Sequence, residues 1–291
     1  MSLAPSPSSF ITSIIAGVFM LDFEILLSDS FTRADLLASY NPGPGEPRSQ
    51  EATERIDKVW HLQVQTCKQD GLRIFNGHLI RLNSYAQKDG KTILELGNTT
   101  FREYVGTSIE DFYGAFPEAW MANPLAVCIA LVTSDRKILV EKRTLLTQYR
   151  APFHVIGGFM EPEKDLCDGR PDPFFAITRE VREELGLVLI PDRLVALGLV
   201  RNLFIRHPEI VFCYALRESF NDVREVLENS VTDDEIDQLE AAEGTSDGLA
   251  SFLRTHHGLF TPSGEACLLL YGRRMYGEAW YDALFEELTE R

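Results

Sequence analysis

Gly157–Leu187 reads GGFMEPEKDLCDGRPDPFFAITREVREELGL, and its second half decides how the rest of the chain is read. Taken as a helix, Phe174 to Gly186 sets Glu180, Glu183 and Glu184 at i, i+3 and i+4, so three carboxylates crowd one face. Like charges that close repel. Such a face persists when it is fully solvated, or when a divalent cation turns the repulsion into coordination. The opposite face carries Ile177, Val181 and Leu185, which can anchor the helix to a core. Asp172 before Pro173 suits an N-cap with proline in the first turn, and Gly186 suits the C-terminal cap.

A chain of 291 residues with 45% hydrophobic content has room for two modest domains or one elaborated one around a real core. The formal charge of -16 excludes broad docking on nucleic acid, which needs lysine and arginine clusters. An anionic substrate therefore needs local help, from a metal or a few placed cations. Cys67, Cys128, Cys167, Cys213 and Cys267 are odd in number and show no CxxC spacing, which points to a reduced, cytoplasmic setting. The opening MSLAPSPSSFITSIIAGVFML is apolar, but no basic residue precedes the run, and Asp22 and Glu24 interrupt its continuation. Neither an export signal nor a membrane span is expected; Gly17 to Leu27 should enter a buried strand.

Along the chain, NPGPGEP (Asn41 to Pro47) must be a loop. EATERIDKVWHLQVQTC from Glu51 has Ile56, Val59, Trp60 and Val64 on one side of a helix. LRIFNGHLIRLNSYAQ and KTILELGNT read as strands joined by a turn at Lys88 to Lys91. A boundary is expected near Phe116 and Pro117, giving an N-terminal α/β unit (1–117) and a second unit (118–291). In the second, PLAVCIALVT and ILVEKRT form a hairpin turning at Ser134 to Lys137, and LVALGLVRNLF and EIVFCYALR supply further strands. VTDDEIDQLEAAEGTSDG reads as surface helix and loop, and SGEACLLLYGRRMYGEAWYDALFEELTE as a closing helix on the sheet. His256 and His257 lack any ligand spacing and read as surface residues.

Arg179, Glu180, Val181, Glu183, Glu184, Gly186 and Leu187 resemble the second half of the Nudix hydrolase signature, R-E-U-x-E-E-x-G-U with U bulky and apolar, without a mismatch. The first half departs. Six residues on from Gly158 stands Lys164 where the pattern has Glu, and Gly158 to Leu187 is a step of 29 where the pattern has 22, so the loop is stretched. Glu161 or Glu163 is the candidate for the missing loop carboxylate. The resemblance implies a Nudix α/β/α sandwich, preceded here by the smaller N-terminal α/β unit, and hydrolysis of a diphosphate bridge.

It also implies Mg²⁺, with Mn²⁺ as substitute, held by Glu180, Glu183, Glu184 and the Gly158 carbonyl, with Glu209 as a later carboxylate. Glu180 either ligates or orients the attacking water. Arg179 can pair with Glu183 one turn on and hold its carboxylate. Arg143, at a strand end, is a candidate clamp on the diphosphate, equally readable as an exposed charge, and His154, three residues before the double glycine, can meet substrate or be satisfied within the strand.

A wider series, including IFNGHLIRL, LELGNTTFREYVGTS, NPLAVCIALVT and EACLLLYGRR, is similar to the animal UDP-sugar-hydrolysing members of that family. This similarity implies cleavage of UDP-glucose or UDP-galactose to UMP and a sugar 1-phosphate, a nucleotide-sugar substrate with no nucleic-acid or membrane partner. It implies too that Phe75 and Phe101 stack the uracil, with Glu161 and Ser263 as polar contacts; either ring can equally be core. Other diphosphates (ADP-ribose, a dinucleotide, coenzyme A) stay open, as does a non-catalytic nucleotide-binding or partner-binding module.

Overall fold

The computed structural model describes residues 21–43, 45–69, 71, 73–143, 151–229 and 236–290. In chain order come β1 (Phe23–Leu27), β2 (Leu36–Tyr40), α1 (Gln50–Gln69), β3 (His78–Lys88), β4 (Lys91–Thr100), α2 (Phe101–Thr107), α3 (Glu110–Tyr113), β5 (Ala126–Val132) and β6 (Lys137–Arg143). There follow β7 (Phe153–His154), β8 (Ile156–Phe159), β9 (Leu166–Cys167), β10 (Arg170–Pro171), α4 (Pro173–Leu185), β11 (Val195–Asn202) and β12 (Pro208–Ala215). The chain closes with α5 (Phe220–Asn229), β13 (Ile236–Glu243), α6 (Ser246–His256), α7 (Pro262–Tyr276) and α8 (Glu278–Thr289).

The large sheet runs β1-β11-β12-β5-β6-β13, with β7 paired to β6 and β8 to β5. Only β12 and β5 among these pairs lie parallel; the rest are antiparallel. A separate three-stranded sheet has the order β2-β4-β3. Strand alternation sends Val127, Ile129, Ile210 and Phe212 to one face, where α4 delivers Phe174, Ile177, Val181 and Leu185. Cys128, Ala130, Val140 and Val211 go to the other, under α6, α7 and α8. Helices on both faces of a central sheet make this an α/β/α sandwich, the expected fold class. Each large apolar side chain that α4 buries contributes about 1.5–3 kcal/mol, so tertiary packing rather than propensity holds the helix.

The ends of α4 are those read from sequence. Asp172 accepts hydrogen bonds from the Phe174 N–H (2.9 Å) and the Phe175 N–H (3.3 Å), Pro173 occupies the first turn, and Gly186 caps the far end in the left-handed region. Arg33 adds a clamp invisible in the linear sequence, donating from Nε (2.9 Å) and Nη2 (2.6 Å) to Asp172 Oδ2. Asp172→Ala should therefore cost more than the roughly 1 kcal/mol typical of a lost cap, because Arg33 loses its partner as well; urea unfolding of the variant measures it.

Two readings change. The acidic stretch expected as helix and loop contains a strand: Ile236–Glu243 pairs antiparallel with β6, and Lys137 and Lys142 of β6 meet Glu243 and Glu240 across the pair. Cross-strand charge pairing and burial of Leu239 and Ala242 outweigh the poor strand propensity of glutamate and alanine. The single closing helix is two, broken at Gly277, whose φ of 93° and ψ of 170° only glycine adopts without strain. The segment before Pro117 contributes to both sheets. Phe23–Leu27 hydrogen-bonds to β11, and Ile80, Leu82, Leu94 and Leu96 of the small sheet share one hydrophobic cluster with α4. Around Pro117 itself a small cluster of its own buries Ala52, Ile56, Phe112 and Met121. Residues Gly17 to Met20 of the expected first strand lie outside the described residues.

Candidate active site

Arg179 is the hub. Its Nε and Nη2 reach the two oxygens of Asp165 at 2.7 and 2.8 Å, Nη1 reaches Glu180 Oε1 at 2.9 Å and Glu183 Oε2 at 3.0 Å, and Nη2 also donates to the Phe159 carbonyl at 3.2 Å. The five N–H groups of a guanidinium match these five contacts. One cation thus ties the loop after β8 to two of the three helix carboxylates, the expected Arg179–Glu183 pair among them.

Asp165, rather than the expected candidates Glu161 or Glu163, is the loop carboxylate that pairs with Arg179. It has 0% exposure and also accepts from the Glu161 N–H at 2.7 Å. It stands one residue past Lys164, where the count from Gly158 had landed; the hairpin of β9 and β10, turning at Asp168 and Gly169, absorbs much of the remaining insertion. Glu161 pairs with Lys164 (3.0 Å) and Glu163 with His78 (2.7 Å), both partly exposed. The offset of one residue in a stretched loop was the only available signal for Asp165.

Of the three helix carboxylates, Glu180 is 8% and Glu184 6% exposed, whereas Glu183 is open to solvent on one side. Gly158 of β8 lies so close to Glu180 that a Cβ added there would collide with the carboxylate. Only glycine lets the strand backbone approach it. Burial raises the Glu180 pKa to about 7, with Arg179 opposing and the negative charges of Glu183 and Asp165 reinforcing.

The sign follows directly. A carboxyl whose folded pKa lies above its unfolded value penalises the fold progressively as pH climbs from 4.5 to about 7. Glu180→Gln removes that penalty, so the metal-free variant should be more stable than wild type at pH 8, by up to roughly 3 kcal/mol at 1.36 kcal/mol per unit, and equal or weaker at pH 4. Thermal melts in EDTA at the two pH values test this; a variant less stable at pH 8 would refute the buried, uncompensated charge.

Oxygen donors of this kind suit a divalent cation: carboxylates are hard ligands, and the raised Glu180 pKa marks negative charge that a cation would relieve. Among the described residues, no three His, Cys, Asp or Glu groups already converge as a cage.

Other expected residues lie elsewhere. Glu209 is not on a loop but in β12, fully buried, 3.1 Å from His207 Nε2 and 4.0 Å from His154 Nε2. Strand alternation turns it to the α7 face, with Val211, away from the α4 carboxylates. Burial pushes its pKa up, but the His207 hydrogen bond and the charges of His207 and His154 outweigh that and bring it to about 2. His154, Thr261 Oγ1 and Ser263 complete this buried group, so His154 and Ser263 do not line an open substrate wall. His257, expected at the surface, is buried against Glu265 at 2.7 Å. Phe101 is half-buried, edge-on to Trp60 (6.3 Å) and Tyr104 (5.9 Å), and Tyr104 continues to Phe159 (5.2 Å) and His207. Phe75, 78% exposed, lines a cavity of about 560 Å³ with Val64, Lys68 and Ile74. The two rings are thus not stacked together. The Arg143 backbone ends β6, and its side chain lies outside the described residues. No helix among the described residues is long and apolar enough to cross a membrane.

No protein family's profile matches the chain, and no curated protein matches it. Among solved structures, the chain is similar to an ADP compounds hydrolase (13% identity, 70% of this chain and 97% of that one, TM-score 0.37). It is also similar to a MutT protein from Methanosarcina mazei Go1 (16% identity, 57% and 92%, TM-score 0.33). A third is a MutT/nudix family protein from Enterococcus faecalis (15% identity, TM-score 0.31), matched over 41% of this chain and less than half, 43%, of that one. Similarity at this level says nothing about substrate.

Proposed function

We propose that the chain is a divalent-metal-dependent hydrolase of the diphosphate bridge in a nucleoside diphosphate-linked substrate, a UDP-sugar cleaved to UMP and sugar 1-phosphate. One observation carries the reading: a single buried arginine holds Asp165, Glu180 and Glu183 in place, beside the Gly158 backbone. A merely solvated acidic face would have no reason to bury Glu180 and Glu184 or to tie Glu180 and Glu183 to one buried arginine. The sugar-nucleotide part of the reading rests on the sequence resemblance alone.

Mg²⁺, held by Glu183, Glu184 and the Gly158 carbonyl with Glu180 beside them, would neutralise phosphate oxygens and make a bound water acidic. The chain's own residues do the rest. Arg179 pre-orients the carboxylates so that no ordering is needed when substrate arrives. Glu180, held by Arg179 beside Gly158, would either join the ligands or orient the attacking water. Phe101, half-buried and edge-on to Trp60 and Tyr104, would offer its open ring surface to the base.

Incubating the protein with UDP-glucose, ADP-ribose and a dinucleotide in turn, with and without EDTA, and weighing the products by mass spectrometry tests the reading. UMP and glucose 1-phosphate formed only without EDTA support it in full. AMP and ribose 5-phosphate instead would move the substrate but keep the chemistry, and no cleavage of any diphosphate with Mg²⁺ or Mn²⁺ would end it.

A further inference from the structure

Away from α4, a cavity of about 470 Å³ is lined by Arg48, Arg81 and Arg102 together with His78, Asn98 and Thr99, and by Glu46 and Glu103. That volume is within the range that holds a small molecule. None of its lining residues belongs to α4 or β8. Two of the arginines are already matched: Arg48 pairs with Glu103, and Arg102 donates from Nε to Asp57 at 2.8 Å.

Arg81 is different. It is 9% exposed, yet its ion-pair partners among the described residues are none; its one hydrogen bond runs from Nη2 to the Ala119 carbonyl at 2.6 Å, and its buried Nε has no partner. Gly45 lies so near that a Cβ there would stand 2.9 Å from Arg81 Nη1. Burying a guanidinium without an anion is costly, and leaving one of its donors unmade adds to the cost. Burial and the neighbouring Arg48 both push the Arg81 pKa below its ordinary value, with Glu103 and Glu46 only partly opposing.

We propose that this cavity is a second binding site, for a small molecule bearing a phosphate group, seated on Arg81. A guanidinium presents its N–H donors as a fork that fits two oxygens of one phosphate. Arg48 and Arg102, each already holding a carboxylate, lie on its rim and keep donors to spare, and Thr99 and Asn98 offer neutral polar groups. A tetrahedral anion suits such a three-sided arrangement better than a planar carboxylate, which Glu103 and Asp57 already supply. The site needs no metal, so it stands or falls apart from the diphosphate reaction.

The test is calorimetric titration of the full chain in EDTA with inorganic phosphate and, separately, with glucose 1-phosphate, at low ionic strength. Saturable binding of at least one, at or below about 1 mM, is expected; the tighter of the two tells whether free phosphate or a phosphate ester is the natural occupant. Arg81→Gln should weaken it at least about tenfold, and Glu184→Gln should leave it unchanged. Where Arg81→Gln does not fold, His78→Glu serves, because His78 is largely exposed and a negative charge there should weaken binding severalfold. Absence of saturable binding in wild type, or equal affinity in folded Arg81→Gln or His78→Glu, would overturn the site.

Discussion

Glu184→Gln is expected to lower hydrolysis of the best diphosphate substrate by roughly 10²- to 10⁴-fold, with the far-ultraviolet circular dichroism unchanged. The substitution keeps size and hydrogen-bonding capacity while deleting one negative charge from a buried position on the ridge. If the ridge exists to grip a cation against the diphosphate, the loss falls on turnover, and higher Mg²⁺ recovers part of it. If the ridge is a solvated face, nothing falls. Glu180→Gln gives the sharper version, because a variant that melts higher than wild type in EDTA at pH 8 and yet turns over nothing cannot owe its inactivity to unfolding. Initial rates with UDP-glucose or ADP-ribose across a Mg²⁺ series decide the matter; near-normal rates in both variants would remove the carboxylates from the mechanism.

The second large effect is on stability. Arg179→Met should cost about 3–5 kcal/mol, the usual result of breaking a buried pair from one side, because Asp165 has 0% exposure and would be left without its cationic partner. Arg179 itself is held charged, its pKa raised by the Asp165 hydrogen bonds and the neighbouring carboxylates against the cost of burial. Adding Asp165→Leu to Arg179→Met should return much of the lost stability, since two apolar groups can replace a buried ion pair, but none of the turnover, because Glu180 and Glu183 are no longer held. Urea unfolding and rates on the four members of this cycle separate the two roles. Additive stability losses would mean that Arg179 and Asp165 do not act as a unit.

Much of the architecture is legible in residue order because it rests on local physics. Proline after aspartate starts α4, Gly186 ends it, apolar residues at helical spacing bury one side, and the polar turn at Lys88–Lys91 joins β3 to β4. Where reading failed, the deciding partner was distant. Ile236–Glu243 is a strand because β6 lies beside it with lysines in register. Asp165, rather than Glu161 or Glu163, meets Arg179 because the folded loop, not residue spacing, decides which carboxylate turns inward.

Sequence by itself therefore determined the acidic helix, its caps, its two faces and the arginine that binds Glu183, since all of these depend on contacts within about one turn. Only the tertiary structure decided which carboxylates are buried, that Glu209, His154 and Ser263 belong to a separate interior group on the other face of the sheet, and that Arg81 is enclosed without an anion. Desolvation and long-range pairing have no signature in residue spacing; they arise when strands far apart in the chain become neighbours, and the electrostatic character of each side chain is set there.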